Sequence, residues 1–215
     1  MKVLVIGATG KTGFQIIQML VHGPHEPIAM IRHQQQKQPF DDLDVKTVQG
    51  DLEAPIDDAV KAMDAVIFAA GSGSKTGKDK TVLIDHLGAI RSMVAAQVHG
   101  VGRYIMLSSL NADVNSQSKI AHYHRAKAHA DHFLRNMDQM LDKGLDWTII
   151  HPGRLTDEPA TNRVTVDDQL LGQGSSSRSN LATALVACVD LPNTIGRSFA
   201  LLDGDTALDE ALAAI

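Results

Sequence analysis

The chain has 215 residues and a mass of 23.1 kDa, enough for one α/β domain that buries roughly 70% of its unfolded surface and short for two. With 44% apolar, 21% charged and only 4% aromatic residues, it is excluded from the disordered, collagenous and disulfide-stapled classes, and its core must be aliphatic, as a helix-covered parallel sheet requires. The 20 basic and 25 acidic side chains give a net charge of −5, which offers no global attraction to nucleic acid or to an anionic membrane.

The chain opens with KVLVI, Lys2 to Ile6, an apolar run of strand length. It ends in glycine after about five apolar residues, where a secretory core needs roughly seven, so it reads as a strand and the protein as cytoplasmic. Next comes GATGKTG, in which Gly7, Gly10 and Gly13 are spaced three apart ahead of the amphipathic segment GFQIIQMLVHG. A backbone without side chains can turn tightly and approach a diphosphate, while free N–H groups at the start of the following helix face the anion. Thr9, Lys11 and Thr12 belong to the same phosphate-binding loop. A nucleoside-triphosphate P-loop needs a glycine five positions before Gly10, and Val5 stands there inside the strand. Lys11 is therefore read as a side chain near a cofactor phosphate.

The second strand, PIAMI (Pro27 to Ile31), runs into Arg32 and His33, with Lys37 following. An NAD-selecting unit carries an acid at this point to bond the ribose 2′-hydroxyl, and that acid would repel a 2′-phosphate. Arg32 instead offers phosphate a planar fork, which favours NADP(H) and leaves NAD(H) open. The third strand, VKTV (Val45 to Val48), precedes Asp51 and Leu52; the fourth, DAVIFAA (Asp64 to Ala70), runs into Gly71. GSGSKTGKDK, Gly71 to Lys80, is expected to be a mobile loop at the carboxyl edge of the sheet. TVLIDHLGAIRSMVAAQVHG follows with a 3.6-residue apolar rhythm; its Asp85 and Arg91 read as solvated or inter-helix contacts.

The fifth strand, RYIML (Arg103 to Leu107), ends at Ser108 and Ser109, and 14 residues after Ser109 the segment YHRAK puts Tyr123 and Lys127 at i and i+4 on one helical face. Hydride transfer to a carbonyl leaves an alkoxide that needs a proton. A phenol of pKa about 10 becomes a useful acid near neutrality when an adjacent ammonium favours the phenolate. Lys127 supplies that charge and can bond a nicotinamide ribose, while Ser109 can hold the substrate oxygen. His122, His124, His129 and His132 share this helix, but without a His-Glu-x-x-His pattern or supporting cysteines they read as surface residues, and no metal is expected. The sixth strand, WTII (Trp147 to Ile150), leads to His151, Pro152 and Gly153; His151 either lines the site or packs beneath the loop.

From Gly153 to about Ser179 periodicity is weak, and this stretch reads as a substrate-side loop region in which Asp157 and Glu158 are hydrated acids. Beyond it, Cys188 lies in an apolar run as a small core residue in a reducing compartment. SFALL (Ser198 to Leu202) is the last strand, and the tail DTALDEALAAI (Asp205 to Ile215) has the rhythm of a helix covering the sheet. Short strands alternating with helices specify a doubly wound parallel sheet, a Rossmann fold flanked by helices, with residues 1–215 as a single domain and 153–179 as its small C-terminal substrate side.

GATGKTG, Asp51-Leu52, Ala69-Ala70-Gly71, Ser108-Ser109, the Tyr123/Lys127 helix and His151-Pro152-Gly153 fall in one order along the chain. In that order they resemble the short-chain dehydrogenase/reductase superfamily, and most of all its atypical NAD(P)H-binding branch related to biliverdin reductase B, NmrA-like and NAD-dependent epimerase-like proteins. The resemblance implies that Asp51 and Leu52 flank the adenine, that Ala69, Ala70 and Gly71 line the ribose and diphosphate, and that Pro152 and Gly153 lie near the nicotinamide. It implies an NADP(H)-dependent oxidoreductase acting on a small carbonyl, quinone or flavin-like molecule. A non-catalytic NADP(H)-binding redox sensor is the alternative, and a nucleotide-sugar epimerase or dehydratase ranks below both. The expected partner is a small-molecule substrate, with neither nucleic acid nor membrane, and the expected state a monomer or weak homodimer.

Overall fold

The computed structural model describes residues 1–73, 76–140, 144–169 and 173–215, so part of the Gly71 to Lys80 loop expectation (74–75) and of the 153–179 region (170–172) lies outside the described residues. Strand β1 (Lys2–Ile6) leads through the glycine loop into helix α1 (Lys11–Val21) and back to β2 (Glu26–Ile31). Short helix α2 (Gln38–Asp41) precedes β3 (Lys46–Gln49), and α3 (Asp57–Val60) precedes β4 (Ala65–Phe68). A helical stretch then runs through α4 (Lys78–Lys80), a π-helical segment (Thr81–Gly88) and α5 (Ala89–Val98) into β5 (Arg103–Leu107). After α6 (Ala121–Arg135) and α7 (Met137–Met140) come β6 (Asp146–Pro152), β7 (Arg154–Thr156), β8 (Arg163–Asp167) and β9 (Ser175–Ser177). Helix α8 (Arg178–Ala187), strands β10 (Arg197–Asp203) and β11 (Thr206–Ala207), and α9 (Leu208–Ala213) complete the chain.

The main sheet has the order β11-β8-β10-β6-β5-β4-β1-β2-β3. Every pairing from β3 across to β10 is parallel; β8 and β11 close the far edge antiparallel. Strand β1 has β2 on one side and β4 on the other, so successive crossovers leave it in opposite directions and open a crevice above its carboxyl end. The doubly wound expectation is thus met. Alternation along β1 sends Val3 and Val5 into a core layer with Ile16, Leu20, Leu181 and Leu212, and sends Leu4 and Ile6 into a second layer with Met93, Ala96 and Leu134. Helices α1, α8 and α9 therefore cover one face and α5 and α6 the other. Cys188 is buried in the first layer, where desolvation pushes its thiol up to about 11.

Two expectations change. The periodic segment after Lys80 is α-helical only from Ala89, because its first turns adopt the wider π form, which turns Thr81, Asp85 and Gly88 inward together. The weakly periodic 153–179 region is not all loop: β7 pairs with β9 as a small separate sheet, while β8 joins the main sheet beside β10. Strands β7 and β9, three residues each, are too short to display an alternating pattern, and the alternating RVTVD of β8 is set among polar, loop-like flanks.

One polar side chain locks the lower edge of this arrangement. Arg103, 6% exposed at the start of β5, donates to the Cys188 carbonyl at 2.8 and 3.1 Å, to the Asp146 carbonyl at 2.8 Å, and to the hydroxyls of Thr148 (2.5 Å) and Thr194 (2.8 Å). It joins β5, β6 and the end of α8, and its removal strands several buried acceptors. Arg103→Met should lower the unfolding free energy by about 3 kcal/mol in denaturant titration, with the m-value unchanged; a loss under about 0.5 kcal/mol would contradict this role.

Candidate functional site

The glycine loop is built by close approach. Gly7 has φ +89°, and a Cβ there would lie 2.6 Å from the Ala70 nitrogen, so the loop can sit against the end of β4 only without a side chain. At Gly13 a Cβ would collide with the Gly7 carbonyl, which packs α1 directly on the loop. Gly10 is the N-cap of α1, offers no side-chain cap, and is followed by no acid in the first turn. Free amides, the positive end of an 11-residue helix and the absence of a competing carboxylate fit a dinucleotide diphosphate.

Two cavities flank this loop and share Gly10, Ala69, Ala70 and Gly71. The smaller, about 450 Å³, is lined by Gly7, Thr9, Arg32, Asp51 and Leu52 together with Met30, Gln36, Gly50, Glu53, Ser72, Thr76, Lys80 and Ile84. The larger, about 540 Å³, is lined by Lys11, Thr12, Ser108, Ser109, Tyr123, Lys127, Pro152 and Gly153 together with Asp85, Leu107, Asn111, Ile120, His124, Arg154, Leu155 and Arg178. Of the residues singled out in the sequence for cofactor or proton transfer, Gly13 alone lines neither cavity; its place is under the loop.

Arg32 is exposed, and its Nε donates to His33 Nε2 at 3.1 Å, while the Gln36 side chain accepts from the backbone N–H of Arg32 and of His33. Lys37 instead pairs with Asp41 at 2.6 Å, away from this cavity. Across the same cavity Lys80 donates to both oxygens of Glu53 at 2.6 and 2.7 Å.

The larger cavity centres on a buried ion pair. Asp85 is wholly buried, its Oδ1 lies 3.4 Å from Lys127 Nζ, and its Oδ2 accepts from the Ser72 amide at 2.9 Å. Solvation of Asp85 is thereby ruled out and its inter-helix contact upheld; the π-helical turn, invisible in a 3.6-residue pattern, is what aims it inward. Arg91 is likewise engaged, donating to the Leu52 carbonyl at 2.6 Å. Lys127 Nζ also donates to the carbonyls of Ala70 (3.3 Å) and Leu107 (3.2 Å), so its ammonium is held by two carbonyls and one carboxylate of the protein. Burial works against the ammonium, but Asp85, the Tyr123 phenol and Asp131 outweigh it and hold Lys127 above the ordinary lysine value.

The Tyr123 ring centroid is 5.9 Å from Lys127 Nζ, and its phenol shares the cavity wall with Ser109. Desolvation raises the phenol above its usual value, and the opposing pull of Lys127 and Ser109 does not cancel it. Lys127 does pull the phenol down, as expected, but burial, with the nearby Asp85 and Asp131 carboxylates, outweighs that pull. His124, expected on the surface, is 7% exposed against Ser116 (3.1 Å) and Ser118 (3.0 Å), because the loop before α6 folds over it. His151 packs beneath the loop, its Nδ1 3.0 Å from the Ser109 carbonyl and its Nε2 2.9 Å from the Ser198 hydroxyl. Burial lowers its pKa, and behind it burial raises that of Asp131, whose Oδ2 accepts from the Ser108 hydroxyl at 2.7 Å.

Asp157, expected to be merely hydrated, bridges Lys11 and Arg178 at 2.5 Å each, and these two cations, Lys11 first, hold its carboxyl below the usual range. Lys11 thus meets a carboxylate where a phosphate contact was expected. Gln36, the Glu53–Lys80 pair, Arg154 and Arg178 carry no local motif that could have marked them. Among the described residues no group of three or more His, Cys, Asp or Glu side chains is placed to hold a metal ion, and no helix is long and apolar enough to cross a membrane.

Residues 7–192 match the family described as NAD(P)H-binding. The chain belongs to that family. A Bacillus subtilis protein described as an uncharacterized sugar epimerase, YhfK, is 38% identical over 99% of each chain. A Bacillus halodurans structure, provisionally described as an NAD-dependent epimerase/dehydratase, superposes with a TM-score of 0.92 at 36% identity over 100% of both chains. The oxidoreductase ylbE from Lactococcus lactis gives 0.86 at 28% identity, covering 100% of this chain and 96% of its own. The resemblance to atypical dehydrogenase/reductases is borne out in family and fold.

The Asp85–Lys127 pair generates a stability prediction. Asp85→Ala leaves a buried ammonium without its counter-charge and should cost about 3–5 kcal/mol, whereas Asp85→Leu combined with Lys127→Met should recover most of that loss. Equal thermal stability of the single and double variants would contradict the pairing.

Proposed function

We propose that the chain is an NADP(H)-dependent oxidoreductase that moves a hydride between the nicotinamide and a small carbonyl, quinone or flavin-like substrate. One observation carries this reading: residues assigned from sequence to the dinucleotide and to proton transfer line two cavities joined through Gly10 and Ala69 to Gly71. In the smaller cavity Arg32 would grip a 2′-phosphate while Asp51 and Leu52 flank the adenine. The amides of the Gly7 to Thr12 loop would hold the diphosphate, with Ala69, Ala70 and Gly71 beside the ribose. Ser108, Lys127, Pro152 and Gly153 would border the nicotinamide. When bound, the coenzyme supplies or accepts the hydride.

The chain's own contribution is orientation and a proton. Tyr123 would donate its hydroxyl proton to the substrate oxygen as negative charge develops, and Ser109 would donate a hydrogen bond to the same atom. Lys127 would stabilise the phenolate that remains. The raised phenol pKa keeps Tyr123 in its acid form throughout neutral pH while making it a weaker donor, so its contribution rests on placement beside the substrate oxygen. Membership of the NAD(P)H-binding family and likeness to the oxidoreductase ylbE support the reading. The redox-sensor alternative draws support from the commitment of Lys127 Nζ to Ala70, Leu107 and Asp85, which a catalytic lysine would have to loosen.

Parallel titrations with NADPH and NADH should show tighter binding of NADPH, and Arg32→Ala should erase the difference; absence of binding by either coenzyme would overturn the proposal. With a panel of quinones, flavins and aldehydes, Tyr123→Phe should cut kcat by roughly 10²-fold and leave NADPH affinity unchanged. Tight NADPH binding with no consumption across the panel would favour the sensor.

The pH dependence follows from the direction of the shift. Reduction needs protonated Tyr123, which is present below its raised pKa, so kcat should stay level through neutrality and fall only above the ordinary tyrosine range. The opposite direction needs the phenolate, and its rate should climb with pH. A reduction rate that declines between pH 6 and 8, roughly two to four units below the ordinary phenol value, would rule Tyr123 out as the donor.

A further inference from the structure

The larger cavity contrasts with the chain around it. The protein carries a net charge of −5, yet this cavity is lined by Lys11, Lys127, Arg154 and Arg178 and by one carboxylate, Asp85. Asp85 is spent on Lys127 inside the protein. Lys11 and Arg178 share a single carboxylate, Asp157, whose side chain is 58% exposed and lies at the rim. Arg154 is exposed and makes no side-chain hydrogen bond or ion pair among the described residues. Four cations face two carboxylates, and one of those two is a solvent-exposed loop residue that a stronger anion can displace.

The geometry points to a substrate that carries an anionic oxygen group, a carboxylate or a phosphate, held by Arg154 and Arg178 while its reducible end rests against Ser109 and Tyr123. This deepens the oxidoreductase reading and rests on it. The protein itself demonstrates the recognition chemistry: the Asp157 carboxylate already sits between Arg178 Nη1 and Lys11 Nζ at 2.5 Å from each, occupying the same guanidinium that would hold a ligand's anionic group beside Arg154. Guanidinium forks are suited to planar carboxylates and to phosphate oxygens, and both arginines belong to segments bordering the cavity beyond Pro152. Apolar walls from Leu107, Ile120 and Leu155 complete a site for an amphipathic molecule with a flat body and a charged tail. The 2′-phosphate-binding Arg32 lines the other cavity, so these cations are not its continuation.

The test uses the intact chain saturated with NADP and two matched pairs of probes. FMN against riboflavin isolates a phosphate, and 4-carboxybenzaldehyde against methyl 4-formylbenzoate isolates a carboxylate. Calorimetric titration should show the anionic member of at least one pair binding at least about tenfold more tightly, and which pair discriminates tells phosphate from carboxylate. Arg154→Ala and Arg178→Ala should each reduce that preference while leaving the coenzyme's own affinity as in the parent protein. Equal binding within both pairs, or no binding of any probe, would overturn the inference. A weakened affinity for NADPH in the arginine variants would also overturn it, by assigning these cations to the coenzyme. Failure of the parent protein to bind NADPH at all is a separate result that strikes the oxidoreductase reading instead, and it is read before any probe is added.

Discussion

The site depends on one contact between backbones, Gly7 against Ala70. Because β1 and β4 are neighbours in the sheet, their carboxyl ends deliver a turn and a strand terminus to the same point, and only a residue without a side chain lets them meet. That contact fixes the start of α1, whose uncapped amides border both cavities, and it fixes Ala69 to Gly71, which form the partition the cavities share. Gly13 performs the complementary task from the helix side, holding α1 down on the Gly7 carbonyl. A side chain at either position would move the helix away from β4 and pull the two cavities apart. The two cavities are therefore products of one packing constraint.

Charge is distributed around that constraint with consistent logic. Cations near the site are matched at graded cost: Lys127 by a buried carboxylate, Lys80 by a half-exposed one, Lys11 and Arg178 by one exposed carboxylate between them. The buried match is the one that cannot be exchanged, since a charge freed inside the protein is expensive, whereas exposed pairs are worth about 0–1 kcal/mol and can be given up to a ligand. Lys127 accordingly acts as a fixed structural charge, and the phenol beside it feels burial more than it feels the ammonium. The exposed cations at the rim are the ones left with capacity for a ligand.

Much of this was legible in the sequence. The seven apolar runs appear as the seven parallel strands within one or two residues at each end, because buried strands between helices leave uninterrupted aliphatic stretches. The glycine spacing, read together with the strand before it and the helix after it, located the loop, and Tyr123 and Lys127 at i and i+4 located the second cavity. Other features had no local signature. For Asp85 the sequence left solvation and an inter-helix contact both open, because a 3.6-residue projection does not follow the side chains of a π-helical turn. Lys11 and Arg178 meet at Asp157 only through long-range topology, across 146 residues in the case of Lys11. Strands β7 and β9 were hidden by brevity, β9 also by its all-serine composition, and β8 by its polar alternate residues among loop-like flanks.

The elements after Gly153 divide between the main sheet and the larger cavity. Strands β8, β10 and β11 are consumed in extending the main sheet, while α8 and α9 cover its face against α1 and β8. What remains for the substrate side is β7, β9 and their flanks, which contribute Gly153, Arg154, Leu155 and Arg178 to a cavity of about 540 Å³. That cavity presents a phenol in its wall and cations in its lining, which is what the proposed reduction of an anionic substrate asks of it.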